Sequence, residues 1–222
     1  SSASAAIRII TGVDYDNFGG SFNVGDINND GYADLLVAAV GAKNALTNTV
    51  GKTFLFYGGA SGITQTTSTA APVIFEGEDL APSPSFGSSI VVGDFDADGF
   101  SDIAIGASAY NTNLGRAYLF YGSGASGFTP GTYMATISNT IATGSVANTF
   151  IGGTMAAGDL NGDGATDLAT GGYGATSSTS KLFLFYGAVG SRPLQSNSAT
   201  PTTTVTEGTN GFFLTTTIAI QD

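Results

Sequence analysis

The chain has 222 residues, of which 42% are hydrophobic and only 10% charged, and its 17 acidic against six basic side chains give a formal charge of −11. That is enough apolar material for a buried core, while the absence of any basic cluster argues against a nucleic-acid partner. No cysteine or histidine occurs, so disulfides, thiolate chemistry, the commonest zinc ligand and the commonest general base are all excluded.

No apolar run approaches the ~20 residues of a membrane helix, and no membrane insertion is expected. Glycine supplies 33 residues and serine plus threonine 51. Short runs of Val, Ile, Phe, Tyr and Thr between Gly, Asn and Asp then predict an all-β chain.

Taken in chain order, Ile7–Ile10 reads as an outer strand and is followed by the dipeptide Phe18-Gly19. Strands are predicted at Ser21–Val24, Asp34–Val40, Thr53–Tyr57 and Val73–Phe75, with an acidic loop between the first two. The run Leu35-Leu36-Val37-Ala38-Ala39 is apolar throughout, which predicts burial on both faces. The same unit recurs from Phe86 and from Phe150, and each copy has an aromatic strand closing on Tyr-Gly, at Tyr57, Tyr121 and Tyr186.

The repeats run approximately over residues 18–75, 86–137 and 150–205, with a partial fourth at 207–222. In that fourth copy Thr215–Ile220 matches an innermost strand, and Asp222 falls on the first acidic position. The Ser/Thr/Gly/Pro stretches Thr64–Pro72, Thr176–Ser180 and Gln195–Thr204 read as surface connections. Units of four antiparallel strands, repeating about every 65 residues, predict β-propeller blades, about three and a half of them.

Ten of the 17 acidic residues lie in three loops of the form D-x-[DN]-x-D-G-x-x-D. Without them seven acids face six bases, so the acidity belongs to the loops. Packing three or four carboxylates into nine residues is costly unless a cation neutralises them. In the first loop, Asp26, Asn28 and Asp30 set oxygens on one side of a tight turn, the Tyr32 carbonyl adds a fourth, and Asp34 closes the shell. The second offers Asp94, Asp96, Asp98, the Phe100 carbonyl and Asp102, and the third Asp159, Asn161, Asp163, the Ala165 carbonyl and Asp167.

An all-oxygen, flexible donor set without His or Cys selects Ca²⁺, giving three expected sites, one per complete repeat. The twelfth positions Val37, Ile105 and Thr170 lie in strand sequence, so these are β-hairpin loops and not helix-flanked ones. One such loop alone would read as a solvated turn; three in register favour metal binding.

The units resemble FG-GAP repeats, the blade sequence of integrin α-subunit propellers. The FG dipeptides are Phe18-Gly19 and Phe86-Gly87, with Phe150-Ile151-Gly152 read as carrying an insertion. The GAP position is Ala38-Ala39-Val40, Gly106-Ala107-Ser108 and Gly171-Gly172-Tyr173, and departs from the family's proline throughout. The resemblance implies a propeller, commonly seven-bladed, of which this chain supplies part. It also implies an extracellular or cell-surface structural or adhesion role, with a protein or glycan ligand or neighbouring propeller subunits as partners. The alternative is a non-catalytic propeller module of a larger secreted enzyme.

The remaining acidic clusters, Asp14 with Asp16 and Glu76-Gly77-Glu78-Asp79, read as solvated loops, and no catalytic residue is expected. Lys52, Arg116 and Lys181 recur at one repeat position, which predicts a structural part for them.

Overall fold

The computed structural model describes residues 8–79, 84–123, 127–135, 140–143, 150–173 and 180–190. The first blade takes β1 (Phe18–Gly25), β2 (Asp34–Ala39), β3 (Lys52–Phe56) and β4 (Val73–Glu76), each antiparallel to its neighbour. The second takes β5 (Phe86–Gly93), β6 (Asp102–Ala107), β7 (Arg116–Phe120) and β9 (Thr140–Thr143). In the third, β10 (Thr154–Gly158), β11 (Asp167–Tyr173) and β12 (Ser180–Phe185) are described. The expected partial fourth repeat and the connections Thr176–Ser180 and Gln195–Thr204 lie, but for Ser180, outside the described residues.

The remaining strand, β8 (Gly131–Met134), belongs by sequence to the second repeat but pairs in parallel with β4, so the first sheet has five strands. Tyr133 on it joins Phe75, Phe120 and Phe128 in an aromatic cluster, with ring centroids 4.8–5.5 Å from that of Phe75. Sequence reasoning read no strand there.

Two further expectations are corrected. Arg8–Ile10 forms no strand; the chain makes a single bridge one residue on, between Thr11 and Thr67. Phe150 also marks no insertion. It shares its positive φ with Asn17 and Ser85, the residues before the other FG dipeptides, and its carbonyl accepts from the residue three on, as theirs do. Ile151, fully buried, therefore occupies the phenylalanine slot and Gly152 the glycine slot.

The blades stack through apolar faces. Ile27, Leu36, Leu55, Val73 and Phe75 of the first pack against Phe86, Ile90, Ile103, Ile105, Tyr118 and Phe120 of the second. Val91, Phe95, Leu119 and Ile141 repeat this against Ile151, Met155, Leu168, Phe183 and Phe185 of the third. The FG glycine is what lets the blades approach. Gly87 has φ +95°, and a Cβ on it would lie 2.7 Å from the Ala38 Cβ, while one on Gly152 would lie 2.9 Å from the Gly106 Cα. The small residues of one blade's GAP position thus receive the FG turn of the next.

Charges expected to be solvated also find partners within and between the blades. Glu78 accepts from Arg116 Nη1 at 2.7 Å and from the Tyr118 hydroxyl at 3.1 Å, and the guanidinium lies 3.7 Å over the Tyr110 ring. Glu76 pairs with Lys52 at 2.8 Å across β3 and β4. Asp16 is buried and accepts the Val13 and Phe18 amides, whereas Asp14 is exposed as expected. The structural part read for Lys52 and Arg116 is borne out by these pairs.

Phe75 is fully buried at the first blade interface and Phe22 on β1 is 68% exposed. Phe75→Ala is expected to cost about 3–5 kcal/mol of unfolding free energy in denaturant titration, and Phe22→Ala no more than about 0.5 kcal/mol. Equal losses would mean that the blade interface does not carry the stability.

Candidate metal centre

Each acidic loop closes the hairpin between the first two strands of its blade, and the closing pairs are equivalent: Gly25 with Asp34, Gly93 with Asp102, Gly158 with Asp167. The three loops therefore occupy the same end of their blades. Within each, the first aspartate gathers the turn. Asp26 accepts the amides of Asp30 (3.0 Å) and Gly31 (2.8 Å), and Asp94 those of Asp98 (3.0 Å) and Gly99 (2.9 Å). Asp159 accepts those of Gly162 (2.6 Å) and Gly164 (3.0 Å), and these bonds hold its carboxyl below the usual carboxylate range.

The fifth-position carboxylates Asp30, Asp98 and Asp163 each accept the amide of the seventh residue, Tyr32, Phe100 and Ala165, at 2.9 Å. At the third position Asn28 and Asn161 direct their amide nitrogens to Asp30 and Asp163.

The ninth aspartate has a part that spacing alone did not reveal. Asp34 is buried and accepts the Ile27 amide at 2.7 Å on one oxygen and the Gly58 amide at 2.7 Å on the other. Asp102 does the same with Phe95 and Gly122, and Asp167 with Leu160 and Gly187. The carboxylate thus ties the second loop residue to the glycine that follows the aromatic strand. A carboxylate oxygen has two lone pairs, so these bonds leave capacity for a cation. Burial raises the Asp34 carboxyl and pushes Asp102 up to about 7, against the lowering effect of the two amides.

Of the fifteen sequence-predicted ligand residues, Asp94, Asp96 and Asp102 converge, offering one oxygen each within 4.8 Å of one another. Among the described residues this is the one such group of three. An ion with Ca–O bonds near 2.4 Å spans that separation, and the donors are hard oxygens, so the residues fit Ca²⁺. In the other two loops the third position is an amide, Asn28 or Asn161, and three carboxylates do not come together in this way.

Sequence reasoning missed two supports. The Tyr-Gly glycines end the aromatic strands as expected, but a Cβ on Gly58, Gly122 or Gly187 would lie 2.2, 2.3 or 2.4 Å from the eighth-position carbonyl of Ala33, Ser101 or Thr166. Recurrence of Gly after each FLFY or YLFY run was the available signal. The second support is a set of bonds between loops. Ser101 Oγ donates to the Asp26 carbonyl at 2.9 Å and Asn29 Nδ2 to the Gly99 carbonyl at 3.2 Å. Thr166 N–H donates to the Asp94 carbonyl at 2.8 Å, and the Asp94 amide to Thr166 Oγ1 at 3.1 Å.

The FG-GAP repeat family matches residues 18–51, 86–120 and 152–185, one stretch per blade. The chain is 34% identical over 166 residues to phosphatidylinositol-glycan-specific phospholipase D of Bos taurus, covering 71% of this chain and 19% of that protein. The Homo sapiens protein of the same name is 32% identical over 164 residues, again 71% of this chain and 19% of the relative. Human integrin alpha-D is 32% identical over 159 residues, which is 71% of this chain and 13% of the relative. The chain thus spans about a fifth or less of the length of these relatives. Among the described residues no helix is long and apolar enough to cross a membrane.

The neighbouring glycines Gly58 and Gly59 separate the clamp from mere composition, since nothing lies within 4 Å of a Cβ placed on Gly59. Gly58→Ala is expected to destabilise the fold by about 1–3 kcal/mol through overpacking, and Gly59→Ala by no more than about 0.5 kcal/mol in thermal or denaturant unfolding. A neutral Gly58→Ala would contradict the close approach of strand end and loop.

Proposed function

The chain carries three FG-GAP repeats, each a propeller blade, and we propose that it is a calcium-stabilised extracellular scaffold whose propeller presents loops to a protein or glycan partner. The observation that carries this reading is the convergence of Asp94, Asp96 and Asp102 in a loop whose register recurs in the other two blades. In each site the first, third, fifth and ninth side chains and the seventh carbonyl hold the ion, from Asp26 to Asp34, Asp94 to Asp102 and Asp159 to Asp167. Bound Ca²⁺ supplies neutralisation and cross-linking of the loop, and no catalysis is assigned to it.

The protein's own residues do the rest: the first aspartate shapes the turn, the ninth anchors it to the aromatic strand, and the hairpin is thereby fixed to the blade. For a place outside the cell the expected affinity is roughly 10⁻⁴ to 10⁻³ M, the range of extracellular calcium modules. The identity to integrin alpha-D supports the adhesion reading. A second reading, a non-catalytic propeller module of a larger secreted enzyme, is favoured by the match to phosphatidylinositol-glycan-specific phospholipase D over 71% of this chain. Both assign the same calcium-stapled framework to these residues.

Calorimetric titration at millimolar Ca²⁺ is expected to show three ions bound, and chelation to lower the melting temperature, because a ligand of the native state alone stabilises it by mass action. Asp98→Ala is expected to remove one ion from that count. A titration without heat, together with a melting curve indifferent to chelator, would defeat the proposal.

A further inference from the structure

The acidic loops are expected from sequence to act independently, since blades meet only as neighbours. The structure joins them. The residue at the eighth position of one loop is bonded to the main chain of the first position of the loop before it: Ser101 Oγ to the Asp26 carbonyl, and Thr166 by both its N–H and its hydroxyl to Asp94. In the first loop that position is Ala33, which has no hydroxyl. Each eighth residue directly precedes the ninth aspartate of its own loop, and Asp102 and Asp167 are buried and held at both oxygens. A change in one loop is therefore delivered to the residue that begins the preceding loop.

Asp26 and Asp94, each held by a following loop, are half-buried.

We propose that calcium loading is coupled from blade to blade through Ser101 and Thr166, so that an ion in the second loop tightens the first and an ion in the third tightens the second. This rests on the calcium reading given above. The ninth aspartate is already held, and an ion would draw the seventh carbonyl into the same shell, so that the eighth residue between them is fixed from both sides. An eighth residue so fixed holds the neighbour's first aspartate in its binding position, and the neighbour loses less freedom on binding. By linkage the coupling acts equally in both directions. Ser101 and Thr166 are positioning residues here, for neither is a ligand of the site that it tightens.

The test is a CaCl₂ titration of the isotope-labelled full chain, followed by NMR at the amides of Gly31, Gly99 and Gly164, each bonded to the first aspartate of its loop. Ser101→Ala is expected to raise the midpoint at Gly31 about fivefold, the weight of one hydrogen bond, and to leave Gly164 unchanged. Thr166→Val, which keeps the N–H bond and removes the hydroxyl, is expected to raise the midpoint at Gly99 and carries the test alone if Ser101→Ala does not fold. Unchanged midpoints in a folded variant whose three loops still load would overturn the coupling and leave the calcium reading standing. If none of the three amides moves in the unaltered chain at millimolar Ca²⁺, the calcium reading falls and the coupling with it.

Discussion

A buried carboxylate at the end of each acidic loop is the constraint on which the rest of the blade depends. Taking an ionised carboxyl out of water is expensive unless its lone pairs are met. Asp34, Asp102 and Asp167 meet theirs with two backbone amides each, one from the loop's second residue and one from the glycine after the aromatic strand. Three features follow from that one group: the curl of the loop, the end of the third strand, and the absence of a side chain where strand and loop meet. Because the Tyr-Gly amide must reach the carboxylate, the glycine comes against the eighth-position carbonyl, and only a hydrogen fits there. The first, third and fifth residues then lie along a turn already fixed at its far end.

The blades are not separable units. The second loop residue, Ile27 or Phe95, is buried by the following blade, whereas its counterpart Leu160 is 59% exposed among the described residues. Leu182, at the place of the buried Thr53 and Ala117, is likewise open. The face that one blade offers is therefore completed by the next. The pair of Glu78 and Arg116 crosses such a boundary, and its charges are matched by a guanidinium that also lies on Tyr110. Arg116 is buried and Glu78 partly so. Such a pair adds little to stability over an apolar one, yet breaking it leaves the buried guanidinium without its carboxylate, so it penalises misplacement of one blade on its neighbour.

The repeat, the strands and the loops were legible because each carries a dense local signal. Leu35–Ala39 is apolar on both faces because both faces are covered, and the D-x-[DN]-x-D-G turn shows itself through residues that favour tight turns. What was not legible lies between units. Gly131–Met134 has no clear alternation of apolar and polar residues, and its strand character comes from an edge of β4 offered by another repeat. Phe150 beside Ile151 and Gly152 looked like an FG dipeptide with an extra residue, and only the positive φ it shares with Asn17 and Ser85 sets the register. Glu78 reads as a surface charge until Arg116 is brought beside it from 38 residues away. In the site, the ligand types and their order could be read directly, but the hydroxyls of Ser101 and Thr166 carry meaning only once two loops are adjacent.

The pairing of β8 with β4 also bears on how the chain is made. The outer edge of β4 offers unpaired amides and carbonyls, and its parallel partner is synthesised about 55 residues later. At ~5–20 residues per second a ribosome takes roughly 3–11 s to cover that distance. During that interval the emerging first blade has an exposed edge able to pair with a neighbouring nascent chain. Completion of its sheet and growth of the second repeat thus overlap, and the outermost strand acts as a latch that closes only after the first three strands of the next blade have been translated.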